Sequence, residues 1–254
     1  MHLNAQLPRS NKLLQVLGAA DYSRLLPHLE LVTLMKGEML SQHDQNVEYC
    51  YFPISGVASI IVQSPKNKSS EVGLVGLEGF APIVPVLQAR FSPFDTLMQI
   101  EGQALRVSAD VLRELFEQCK GLREVLGAYV NIFLVQAAFT SLSNANHSVE
   151  ERLARWILMC HDRTGSESMT LTHEFLAIML AVRRPSVTLA LHELEGRRLV
   201  ISKRGLIIIR DRAALELFAA DTYGRPEEEY RGLIGEFRAS RVDPEALLAV
   251  AEGH

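Results

Sequence analysis

Arg183-Arg184 stands immediately before a proline, and Lys203-Arg204 sits further on at a Ser-Lys-Arg-Gly turn. Around them Arg197, Arg198 and Arg210 face only Glu193, Glu195 and Asp211, although the chain as a whole carries −4. A basic island on a mildly acidic protein suits a phosphate backbone with limited non-specific sticking. Between the two clusters, helical spacing separates Pro185, Ser186, Thr188, Leu189 and His192 from the apolar stripe Val187, Ala190, Leu191 and Leu194. The first set points outward. A guanidinium at the start of such a helix, Arg184, can meet the O6 and N7 of a guanine bidentately, whereas Lys203 and Arg204 at a loop tip meet phosphate. Thr172, His173 and Arg183 complete the candidate DNA-binding set.

These side chains need two crossed helices and a hairpin. Thr172 is placed to cap a short helix carrying Phe175, Leu176, Met179 and Leu180 on one face, and Ala181 to Arg184 leave room only for a tight turn. Pro185 suits the first turn of the second helix, where its missing N–H would have no partner. Leu199 to Ile209 reads as two short strands about the Ser-Lys-Arg-Gly turn. The pattern is a helix-turn-helix with a wing.

The order of residues in 171–209 resembles the DNA-binding domain of the Crp/Fnr family of bacterial transcription regulators. Upstream, Leu29–Met35, Tyr49–Phe52, Val57–Gln63, Glu71–Leu77, Thr96–Ile100 and Gln103–Val107 are short apolar or alternating runs. Lys66-Asn67-Lys68-Ser69 reads as a polar hairpin tip between them. Such spacing predicts a β-barrel or sandwich. It resembles the same family's cyclic-nucleotide-binding-like jelly roll, including Tyr51-Phe52-Pro53-Ile54-Ser55-Gly56-Val57. The fold class is therefore read as α+β: an N-terminal jelly roll, a long dimerisation helix and a C-terminal winged helix-turn-helix. Residues 1–120 are assigned to the sensor, 121–147 to the dimerisation helix and hinge, 148–225 to the winged helix, and 226–254 to an accessory helix and tail.

The candidate effector pocket departs from the family. Nucleotide-binding members carry a Gly-Glu pair for the ribose and an Arg-Ser pair for the cyclic phosphate. Aligning Phe80 to Gln99 puts Pro82-Ile83 and Pro93-Phe94 at those places, and a buried phosphate there would lack donors. Cyclic AMP is not expected to bind. A shifted register through Arg90 and Ser92, or through Glu78-Gly79, would restore a nucleotide-responsive regulator. Ile83, Arg90, Ser92 and Phe94 are thus the pocket candidates, with no effector named.

Length and composition frame the rest. At 254 residues and 48% hydrophobic, the chain can bury a sizeable core and a second small one. No signal pattern opens it, so a cytoplasmic protein is expected. Cys50, Cys119 and Cys160 are far apart and odd in number, which fits reduced thiols and offers no metal spacing; Cys119, near a helix end, is the one candidate thiol sensor. An iron–sulfur cluster of the Fnr kind needs clustered cysteines that Met1–Ala20 lacks, and His28 and His43 are isolated as haem ligands. No cofactor or metal is assigned. Glu150-Glu151 belongs to a capping box with Ser148, and neither Gly-x-Ser-x-Gly nor a phosphate-binding loop occurs. No enzyme is expected.

From Gly121 to about Asn144 the chain is helical by pattern, and after Glu124 it has no charged residue until Glu150. Leu122, Val125, Tyr129, Ile132, Gln136 and Phe139 follow a three-four spacing, with a second stripe of Leu126, Val130, Phe133 and Ala137. Such a helix must be covered twice: by its own sensor domain, and by the same helix of a second copy, to which the first stripe is assigned. Its length would also suit a membrane span, a reading opposed by Asn131, Gln136, Thr140, Ser141 and Ser143. The expected partners are double-stranded DNA at an inverted repeat, a second copy of the chain and, by resemblance, RNA polymerase, with no membrane. The competing reading is a ligand-binding or interaction module whose winged helix docks a protein.

Overall fold

A computed structural model describes residues 10–66, 68–166, 168–203, 205–219, 221 and 223–237. Two short helices, α1 (Lys12–Val16) and α2 (Ala19–Leu25), lead into β1 (Glu30–Leu34), β2 (Met39–Ser41), β3 (Tyr49–Pro53), β4 (Val57–Gln63), β5 (Ser69–Val75), β6 (Asp95–Ile100) and β7 (Gly102–Ser108). These strands form two antiparallel sheets, ordered β1-β7-β3 and β2-β6-β4-β5, which make the jelly roll. β2 has no counterpart among the predicted runs, because three residues are too few to show an alternation. Asn67, at the predicted hairpin tip, lies outside the described residues. Asn11 ties the N-terminus down: its side chain accepts from Leu13 N and donates to Pro53 O (2.9 Å) and Gly79 O (2.8 Å).

α3 (Ala109–Gln118) follows with Ser108 at its cap position, its hydroxyl making no capping bond. α4 (Lys120–Asn146) then runs 27 residues and bends into α5 (Val149–Thr164) through His147-Ser148. The capping box there is formed, Ser148 N donating to Glu151 and Glu151 N to Ser148. After α5 come β8 (Ser168–Thr170), α6 (His173–Met179), α7 (Arg184–Gly196), β9 (Val200–Lys203), β10 (Leu206–Ile209), α8 (Arg212–Phe218) and α9 (Arg225–Leu233). β8 adds a third strand to the wing sheet, ordered β8-β10-β9, which the hairpin reading lacked.

The face of α4 assigned to a second copy is taken up within the chain. Leu122, Tyr129, Ile132 and Gln136, assigned to a subunit interface, are buried within one chain. Gln136 shows why: its Oε1 accepts from Leu74 N (2.6 Å) and its Nε2 donates to Leu74 O (3.1 Å), docking α4 on β5 as an extra strand would. Val125 and Phe139 are half-buried. The face left uncovered is offset around the helix and consists of Gly127, Asn131, Leu134, Ala138, Ser141, Leu142 and Ala145. Length and apolarity alone would let α4 cross a membrane, but β5 and α9 cover one side of it and Arg123, Glu124, Asn131, Ser141 and Asn144 are exposed on the rest.

The C-terminal helix is no accessory. α9 packs along α4, and Tyr230 and Phe237 join the sensor core with Phe52, Phe80 and Tyr129. Residues 238–254 of the predicted accessory helix and tail lie outside the described residues. A second core joins α5, α6 and α7 to Val57, Ile61 and Leu74 of the jelly roll, so the helix-turn-helix and the jelly roll share buried surface. All three cysteines are free and buried. Cys119, the candidate thiol sensor, is buried with Arg24 Nη1 3.8 Å from its sulfur.

Candidate nucleic-acid interface

The helix pair is built as its sequence requires. Thr172 accepts from Phe175 N (3.3 Å) at the start of α6, and α6 and α7 are bent by 103° at the break between them. Ala181 takes a left-handed conformation there (φ 51°), which reverses the chain, and Val182 N closes the turn on Ala177 O (2.9 Å). Arg152 of α5 donates to Leu180 O at the α6 end, a tie with no signature in the sequence. On α7 the buried residues are Val187, Ala190, Leu191 and Leu194, the predicted stripe.

The opposite face therefore turns outward. Arg183, Arg184, Pro185, Leu189 and His192 are exposed, Leu189 at 67%, and Ser186 and Thr188 are half-exposed. Thr188 Oγ1 lies 3.1 Å from His173 Nδ1 and donates to Arg184 O (3.3 Å), so α6 and α7 are joined at the outward face. Glu174, absent from the predicted set, pairs with Arg184 at 3.2 Å; both side chains are largely in water, so the bond is weak and exchangeable. Lys203 is exposed at the end of β9, and Gly205 supplies the positive φ (74°) of the wing turn. Arg204 lies outside the described residues. Arg197 is drawn away from the outer face: it pairs with Glu193 (2.6 Å) and stacks on Phe218 (4.9 Å).

This surface offers a helix N-terminus with two exposed cations, hydroxyls and an apolar patch, flanked by a basic loop, which is the equipment for lying in a groove of duplex DNA. Residues 151–218 match the family model described as the Crp-like helix-turn-helix domain. The chain carries a Crp-like helix-turn-helix domain. The chain around it shares its fold with solved structures of Crp/Fnr-type regulators. FixK2 from Bradyrhizobium japonicum superposes with a TM-score of 0.65 at 17% identity, covering 76% of this chain and 98% of that one. The c-di-GMP-responsive regulator CLP of Xanthomonas campestris gives 0.63 at 14%, covering 76% and 100%. A CRP-family transcriptional regulator of Thermus thermophilus, TTHB099, gives 0.62 at 14%, covering 75% and 97%. At identities this low the superpositions show the shared fold alone. No curated protein matches the sequence.

The predicted effector residues do not converge in the sensor domain. Ile83 is buried in the core, while Arg90 is exposed, its side chain at 68%, and lies 4.0 Å from Asp110. Ser92 spends its hydroxyl in a local turn, donating to Phe94 O (2.8 Å) and accepting from Phe94 N (3.1 Å). The residues of the alternative register have other partners as well. Glu78 is buried against Arg163, with Oε1 2.8 Å from Nε, and a Cβ on Gly79 would fall 2.0 Å from Tyr129 Oη. His43, a haem candidate by type, lies 3.0 Å from Asp95 Oδ1, which raises its pKa. Among the described residues no group of His, Cys, Asp and Glu could hold a metal ion.

Proposed function

We propose that the chain is a homodimeric, sequence-specific regulator that binds an inverted-repeat DNA site and does not respond to cyclic AMP. The observation that carries it is the outward face of α7, where Arg183, Arg184, Ser186, Thr188, Leu189 and His192 are unburied beside an exposed wing lysine. Dimerisation is supported by the uncharged, uncovered stripe Gly127, Asn131, Leu134, Ala138, Leu142 on α4. Its three-four spacing and small residues allow close approach of an identical helix. Insensitivity to cyclic AMP is supported by the scattering of Arg90, Ser92 and Glu78 onto other partners. Residues 10–146 are read as sensor and dimer helix, and 148–219 as the DNA-binding unit with its hinge at His147.

Selection from random duplexes should enrich a two-fold repeat, with binding that weakens steeply as salt rises. A complex with protein that is insensitive to salt, and no enriched DNA, would favour the partner-docking reading. Calorimetric titration with millimolar cyclic AMP should give no binding heat; saturable micromolar binding would overturn that part.

A further inference from the structure

We infer that residues 223–237 are an intramolecular strap that spans the hinge and holds the DNA-binding domain in one orientation against the sensor. The inference does not depend on the DNA reading. The segment begins on the DNA-binding side, where Tyr223 Oη donates to Asp162 Oδ2 (2.6 Å) and Arg212 Nη2 donates to Asp162 Oδ1 (2.7 Å). Just before it, Asp221 lies 3.1 Å from His147 Nε2 at the bend between α4 and α5. Glu227 caps α9 by accepting from Gly224 N (3.1 Å) and is itself buried.

The far end is anchored on the sensor. Tyr230 is 0% exposed, and its hydroxyl donates to Glu78 O (2.9 Å). Its ring packs edge-on against Phe237 with centroids 5.1 Å apart, and Phe237 covers the Arg163 guanidinium at 5.2 Å. Lys12 of α1 donates to Glu236 O (2.7 Å). The aromatic pair thus seals the buried Arg163–Glu78 ion pair, which itself joins α5 to the sensor. Rotation of α5 about His147 would drag Tyr230 and Phe237 out of the core and open that pair to water. Release of the strap is therefore the step that frees the hinge.

Hydrogen exchange on the full-length chain tests this region by region. Phe237→Ala should accelerate exchange of amides 144–152 and 223–237 by about tenfold or more, while β4 and β6 keep the parental rates. Tyr230→Phe, which keeps the ring and loses only the bond to Glu78 O, should produce the same regional pattern at roughly threefold and serves if the alanine variant fails to fold. Parental rates at the hinge in a folded Phe237→Ala chain would overturn the strap. So would acceleration spread evenly through β4 and β6, which is what a merely stabilising helix would give.

Discussion

Trp156 Nε1 donates to Glu71 Oε1 at 2.9 Å, joining α5 of the DNA-binding domain to β5 of the sensor. Ser59 on β4 donates to the other oxygen of the same carboxyl. Burial pushes the Glu71 carboxyl up to about 7, and the bonds from Ser59 and Trp156, with Arg155 and Arg163 nearby, only partly offset it. The folded value lies above the unfolded one, so the native state holds the proton over a range where the unfolded chain has lost it. Stability from this group is fully present below about pH 4.5 and is lost as pH rises through about 7. The loss is on the order of 3 kcal/mol. Glu71→Gln keeps the shape of the contact and removes the titration. Its urea stability should match the parent at pH 5 and exceed it at pH 8; an unchanged pH slope would show that Glu71 does not titrate there.

Two changes two residues apart on α4 should have different outcomes. Leu134 is 61% exposed in the single chain, so Leu134→Glu should leave a folded protein of monomeric mass by light scattering. Ile132 is buried, so Ile132→Glu should cost several kcal/mol and unfold the sensor rather than split a dimer. A Leu134→Glu chain that stays dimeric at the parental affinity would move the subunit interface elsewhere.

That contrast marks the limit of legibility in the sequence. The α7 stripe could be read because Val187, Ala190, Leu191 and Leu194 are covered by neighbours close in the chain, and local period suffices. The two stripes of α4 were equally visible, but which one the chain covers itself was not. One cover is the backbone of β5, met through Gln136, and the other is α9, whose Tyr230 and Phe237 lie in a polar stretch far along the chain. Glu71 and Arg163 likewise gave no signal, and Glu78 was read only as a possible ribose contact, because each looks ordinary until α5 meets the jelly roll. In the effector region, opposed side chains such as Arg90 and Ser92 are near in sequence yet aimed at different partners.

Gly79 offers a test of the packing beneath α4. A methyl there would meet the Tyr129 ring, which is itself held against Phe80 at 5.4 Å between centroids. Gly79→Ala should lower stability by about 1–3 kcal/mol, the usual cost of overpacking a core. Calorimetric melting reads this directly, and an unchanged melting temperature would mean that the ring has room to move.

The last prediction separates reading from holding. Arg184 stands at the first turn of α7 beside Pro185, its side chain paired with Glu174 through an exposed bond that DNA can replace. Lys203 stands exposed at the end of β9. If two α7 helices of a dimer enter successive major grooves about 34 Å apart, Arg184 faces base edges and Lys203 faces the backbone. Arg184→Ala should then cost about 1–3 kcal/mol per half-site and relax the preference at one base position. Lys203→Ala should weaken all sequences alike and lower the salt slope by about one per wing. Exposed Leu189, five residues further along α7, is suited to a thymine methyl, so Leu189→Ser should relax a different position with little effect on the salt slope. Binding titrations of the three variants on the selected site and on its single-base changes, at several salt concentrations, separate these effects. An Arg184→Ala chain that binds the selected site as tightly as the parent, with the same base preferences, would mean that α7 is not the reading helix.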